Sequence, residues 1–230
     1  MITRRHIVLG WCCGHAALTG QDTRRELSPR DLFYEKEGEP AAHSERPHRL
    51  ALRYNLIKLA DGGKPVVVSP DTVFHEGDSV AIDVAPNCQG YLYVLQLGST
   101  GELTTLLPSA QADIPEQPKT VAAFREVRVP NGAWFEFDNN PGVERLFIVV
   151  SQRPEDVKRL GEAIRNRAQP GPAVPAGDET TAELRRRDIV VEKIAAAAGP
   201  VERPNSVYVV NAVYRPNDQL TVEVDLRHGK

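Results

Sequence analysis

Few residues in this chain have the types and spacing that chemistry requires. Beyond the first twenty residues the one cysteine is Cys88. A cysteine attacks as its thiolate, so it needs a nearby base, and the nearest histidine in sequence is His75. Cys88 lies in Pro86-Asn87-Cys88-Gln89-Gly90, which reads as an exposed hairpin loop of the longer, glycine-containing kind. Such a loop offers little desolvation or pre-organisation, so the expectation is a tolerated turn residue able to crosslink two copies under oxidising conditions.

Four carboxylates, Asp78, Glu136, Asp138 and Glu144, form a second constellation. Hard cations want several carboxylate oxygens, but no calcium-loop spacing is present. Asp78, Glu136 and Glu144 are also what a hydrolase or carbohydrate-active enzyme would use, on condition that two of them face one cleft. Simpler roles are available. Asp78 closes His75-Glu76-Gly77-Asp78, where an aspartate accepts from backbone N–H groups, and Glu144 after Pro141-Gly142 can fix a turn in the same way. Arg185, Arg186 and Arg187 read as a solvated helix face with Glu183 paired to Arg187, rather than an anion site. Tyr91, Tyr93, Trp134 and Phe135 could line a groove beside an apolar pocket, but strand spacing favours core. There is no Ser-His-Asp set, G-x-S-x-G, P-loop or G-x-G-x-x-G. The sequence therefore predicts no catalytic, cofactor-binding or metal-ligating residue, no cofactor and no enzymatic activity.

The elements that must position these residues are mostly strands. Residues 74–97 read as two alternating strands joined by the loop at 86–90. Val80, Ile82 and Val84 point one way, and Ser79, Ala81 and Asp83 the other. In the return strand Tyr91, Tyr93 and Leu95 share one face and Leu92 and Val94 share the opposite one, the mark of a central strand covered on both sides. Leu50, Leu52, Tyr54 and Leu56 alternate with polar or small residues. Further strands are expected at 66–68, 102–107, 125–129, 134–137, 144–151, 206–213 and 220–227, with the last two paired through residues 214–218. Residues 109–120, with three prolines, read as a long surface loop.

Helical signals are confined to residues 154–198. Pro154, Glu155 and Asp156 suit a first turn, and Val157, Leu160 and Ile164 form a stripe at helical spacing. After the Pro/Gly linker at 170–177, Thr180 and Glu183 have capping-box spacing for a second helix. The fold class expected is mainly β: an antiparallel β-sandwich, immunoglobulin-like in general architecture, with an inserted segment of two helices. The organisation expected is a signal peptide at 1–20, a flexible tether at 21–47, a β domain at 48–153, the helical insertion at 154–204 and closing strands at 205–230.

A length of 230 residues allows an ordinary core, and a net charge of −3 leaves no basic excess for nucleic acid. Three cysteines exclude a disulfide framework. Arg4-Arg5-His6 before an apolar run reads as a secretory signal, of a form the twin-arginine export route also uses. Trp11 before Cys12 argues against acylation there. After that run no apolar stretch reaches the roughly 20 residues of a membrane span. From 21 to 47 the chain is rich in Arg, Glu, Pro and His, with an apolar island at Leu32-Phe33-Tyr34 that reads as a docking segment or as edge packing.

Phe74, Gly77-Asp78, Gly90-Tyr91-Leu92-Tyr93, Leu107-Pro108, Pro141-Gly142-Val143-Glu144 and Ser151 before Pro154 follow one another in an order that resembles the bacterial domain of unknown function 4384. Ser109 stands where that family commonly has asparagine. The resemblance covers roughly 73–154. It implies a β-sandwich-like module of the cell envelope with no established catalytic residues. The function expected is an exported, non-catalytic interaction or support module in the periplasm or envelope, with a protein or envelope component as partner. The runner-up is the carboxylate-dependent hydrolase.

Overall fold

The computed structural model describes residues 27–34, 49–108, 119–168, 189–194, 203–211 and 219–230. Strand β1 (Ala51–Ala60) is the pivot of the first sheet. One of its edges pairs first with β12 (Ser206–Asn211) and further along with β2 (Lys64–Val68), while the opposite edge pairs with β4 (Ser79–Pro86). Outside β12 lies β11 (Ile189–Ile194), and β8 (Val127–Val129) and β9 (Phe135–Glu136) continue one another along the far side of β4. The second sheet runs β3 (Val73–Phe74), β13 (Gln219–His228), β10 (Gly142–Ser151), β5 (Gly90–Leu97) and β6 (Leu103–Leu107), with β7 (Lys119–Val121) also on β5. The β13–β3 pair is parallel, so this sheet is mixed and not purely antiparallel as expected.

The alternation read in the sequence is what joins the sheets. Leu52, Tyr54 and Leu56 of β1 and Val80, Ile82 and Val84 of β4 meet Leu92 and Val94 of β5, Ile148 and Val150 of β10 and Leu220 to Leu226 of β13 in one buried cluster. Tyr93 and Leu95 are fully buried too, because helix α2 (Val157–Ala168) lies over the outer face of β5 and β10 with Leu160 and Ile164 inward. The central, two-sided character expected for residues 91–97 and the helical stripe are both present. Asp156 caps α2, its carboxylate accepting from the N–H groups of Lys158 (2.8 Å) and Arg159 (3.3 Å). In β13, Thr221, Glu223, Asp225 and Arg227 face away from the buried leucines and valines, as their alternation predicts.

Four expectations are corrected. Residues 74–97 do not form a hairpin: β4 belongs to the first sheet and β5 to the second, and the stretch at 86–90 carries the chain across. The last two strands likewise separate, β12 into the first sheet and β13 into the second, so they are not paired. Residues 189–194, expected in the second helix, are β11, because the β-branched Ile189-Val190-Val191 run has a ready edge to pair with at β12. The capping-box residues Thr180 and Glu183, and Arg185 to Arg187, lie outside the described residues, as do residues 1–26 and most of the loop at 109–120. The end of that loop, Lys119–Val121, is a strand. The apolar island within residues 21–47, read as a docking segment or as edge packing, falls on α1 (Pro29–Phe33) and the residue after it, with Phe33 buried against the first sheet. Among the described residues no helix is long and apolar enough to cross a membrane.

Candidate functional site

The predicted carboxylates divide between two places. Glu136, Asp138 and Glu144 come together at one end of the β layers, in a recess of about 140 Å³ floored by Phe135, Phe137, Leu146 and Leu226. An adjoining recess of about 150 Å³ shares Gln96, Asp138 and Glu144 and adds Glu102 and Asn140. Asp78 lines neither. It is paired with Lys58 at 2.7 Å and accepts from the His75 N–H at 3.0 Å, the turn role its position predicts. Burial pushes its carboxyl pKa up, but the Lys58 ammonium and the His75 N–H outweigh that and hold it below the ordinary value.

Within the recess most oxygens are committed to loop geometry. Glu144 accepts from Gln96 Nε2 at 3.0 Å and from the Ser99 N–H at 3.2 Å, so it does fix a turn, but the turn is that of the neighbouring β5–β6 hairpin. Asp138 accepts from the Asn140 N–H at 2.8 Å and its Nδ2 at 2.7 Å, which lowers its pKa although it is fully solvated. His228 Nδ1 lies 2.8 Å from the Asn140 carbonyl oxygen and the ring packs on Phe137, tying the last strand to the same loop. Among the described residues no three His, Cys, Asp or Glu side chains gather in a way that would hold a metal ion.

Cys88 is not at an exposed tip. Asn87 receives the Ala51 N–H on Oδ1 (2.8 Å) and donates Nδ2 to the Arg49 carbonyl (2.8 Å), which folds the crossover inward and leaves Cys88 4% exposed in the main core. The surface crosslink expected of it is therefore corrected: the thiol is covered. The four aromatics do not share a groove. Tyr91 and Tyr93 lie beneath α2, whereas Trp134 sits 5.7 Å below the Arg128 guanidinium and Phe135 packs on the main core.

The densest polar arrangement was not anticipated, and it lies on the outer face of the first sheet. Strand register aligns Arg128, Asp83 and Asn55 across β8, β4 and β1, and Asn55 Nδ2 continues the row to Ser206 Oγ at 3.0 Å. Asp83 is 2% exposed yet charged, for Arg128 grips it with Nε (2.7 Å) and Nη2 (2.9 Å) and Arg203 adds Nη1 (2.6 Å). Burial raises the Asp83 pKa, and these hydrogen bonds more than reverse that, so the carboxyl stays below its usual range. Arg203 also donates to Glu126 (2.8 Å), and Glu126 receives Arg53 (3.2 Å). The single signal in the sequence was Asp83 itself, a carboxylate among apolar neighbours.

Beside this network α1 is seated. Ser28 and Asp31 form a reciprocal capping box, Phe33 is inserted among Ala51, Ala85, Tyr208 and Val210, and the Tyr34 hydroxyl shares a 3.3 Å hydrogen bond with that of Tyr208. Arg53 Nη1 donates to Tyr34 Oη at 3.4 Å, and the Arg30 N–H donates to Glu192 at 2.9 Å. The island at residues 32–34 is thus a docked segment, and its rings pack at the margin of the sheet as well.

These features define a mainly β module of two core-sharing sheets, with an ion-paired network on one face and residues 28–34 bound beside it. Residues 73–154 match the family model described as a domain of unknown function (DUF4384), the span from β3 to just past β10. No curated protein and no solved structure matches the chain.

Proposed function

We propose that this chain is an exported, non-catalytic interaction or support module of a bacterial cell envelope, built as a sandwich of immunoglobulin-like general architecture, with a protein or envelope component as its partner. The observation that carries the reading is how the candidate carboxylates are used. Of the four, Asp78 is held by Lys58 and a backbone N–H, Asp138 by Asn140, and Glu144 by Gln96 and a backbone N–H, which leaves Glu136 at the recess without a second carboxylate free to work with it; Asp83, on the first sheet, is held by two arginines. A general acid or nucleophile must be able to exchange its proton or reach an electrophile, and groups engaged in this way hold loops and sheets together instead. The basic head and apolar run at the N-terminus motivate the export half.

The test is in cells. A C-terminally tagged full chain, crosslinked and fractionated, is expected in the extracytoplasmic fraction with a reproducible envelope partner. Recovery of a cytoplasmic monomer with nothing above background overturns the proposal. The hydrolase reading has less support, because Asp78 lines neither recess and Glu144 is engaged on both oxygens.

A further inference from the structure

We infer that the outer face of the first sheet contains a peptide-binding socket and that residues 28–34 are its built-in ligand, held in cis and exchangeable for the same segment supplied in trans. The contacts are those of a docked peptide. One anchor, Phe33, is 1% exposed and meets Tyr208 and Phe124 edge-on at ring distances of 5.3 and 5.4 Å. Polar contacts flank the anchor: Tyr34 to Tyr208 and Arg53 on one side, the Arg30 N–H to Glu192 on the other. Recognition by an apolar anchor in a pocket with directional bonds around it is how short helical segments bind grooves.

The segment has no separate means of holding its shape. Five residues of helix fall well below the roughly 12 needed for an isolated helix to persist in water, so α1 owes its form to its cap and to the socket. The sheet, by contrast, does not need α1 for its ladder: β11, β12, β1 and β4 pair with one another, and α1 adds no strand. Release of α1 would leave that pairing whole and uncover Ala51, Ala85, Tyr208 and Val210.

Phe124 is the independent sign that the socket is built for an occupant. It has φ of +60°, a left-handed conformation that L side chains avoid, and its N–H is fixed by the Pro86 carbonyl at 2.7 Å. That geometry puts its ring edge-on to Phe33 and stacked with Tyr34, 12° from parallel. Strain kept at a binding surface is a mark of use. The segment is covalently joined to the β domain, so it competes in cis with any copy of itself supplied in trans.

The inference does not depend on the envelope reading, and it is tested on the purified full chain. A fluorescent peptide of residues 27–36 is titrated into the unaltered chain and into the double variant Phe33→Ala, Tyr34→Ala, whose fold is checked by a cooperative melt. Saturable binding to the variant is expected, at least about tenfold weaker in the unaltered chain because the cis segment competes. The same peptide with alanine in place of Phe33 should not bind. No saturable binding to the folded variant, or equal binding to both chains, overturns the inference. If the variant does not fold, hydrogen exchange on the unaltered chain decides. The Leu32 and Tyr34 amides should exchange at least about a hundredfold faster than those of β5 and β10. Equal protection overturns it.

Discussion

Asp83 is a charged group on a strand whose neighbours are apolar, and its partners decide how the fold responds to acid. Its folded pKa lies below the ordinary carboxylate value, so the native state binds fewer protons than the unfolded chain in the window between the two. The stabilisation is complete above the ordinary value, near 4, and is lost as pH falls through the depressed folded value. Asp83→Asn takes the paired carboxylate from Arg128 and leaves Arg203 with Glu126 alone. Because both guanidinium groups keep water, at 36% and 41% exposure, the loss is expected near 2–3 kcal/mol and not the full cost of a buried orphan charge. Urea unfolding at pH 7 should read that difference, and it should shrink progressively below about pH 4. A difference that stays constant down to pH 2 would assign the effect to packing. Cys88 makes a separate prediction. In the native chain its thiol should resist alkylation and react fully in denaturant, read for that peptide by mass spectrometry.

Pairing between elements is set by close approaches that the sequence marks only faintly. Gly90 opens β5 where β10 ends, and a Cβ there would stand 2.5 Å from the Ser151 carbonyl oxygen and 3.3 Å from its carbon. Backbone cannot yield as a side-chain tip does, so Gly90→Ala should part the two strands at that end. The expected loss is about 1–3 kcal/mol, read as a lowered melting temperature with the secondary structure retained. The signals in such a chain are uneven for a physical reason. Alternation in β1, β4, β5, β10 and β13 reports which faces are buried, and the Val157, Leu160, Ile164 stripe reports which side of α2 is. Neither reports partners. A proline and a glycine around Asn87 suit a hairpin turn and a crossover equally well, and the difference lies in where Asn87 sends its amide, a contact to Ala51 and Arg49 distant in sequence. For β11, three β-branched residues sit inside a charged, helix-favouring stretch, and the edge that β12 offers decides for strand. The ion network is hidden for the same reason: Arg53, Glu126, Arg128 and Arg203 look like ordinary surface charge until the fold links them to Asp83 and to one another.

At the scale of the whole molecule, the matched span and the folding unit are different things. Residues 73–154 contain β4 and β9 with β8 from the first sheet, and β3, β5, β6, β7 and β10 from the second. They omit β1, which stands between β12 and β4, and β13, which pairs with β10 along all ten residues from Gly142 to Ser151. Ten of the twenty-four buried residues in the main core come from outside the span, among them Leu52, Leu56, Val209 and Leu226. Without them Ile82, Val94 and Ile148 would face solvent on the side that now meets the missing strands, and β4 and β10 would each expose an unpaired edge. A hydrophobic, unpaired edge is a template for association. Expressed alone, residues 73–154 should therefore show no cooperative thermal transition and should aggregate, whereas residues 27–230 should melt as one unit. A sharp, reversible transition in the short fragment would mean that the family span holds its own core and that the flanking strands are additions to it.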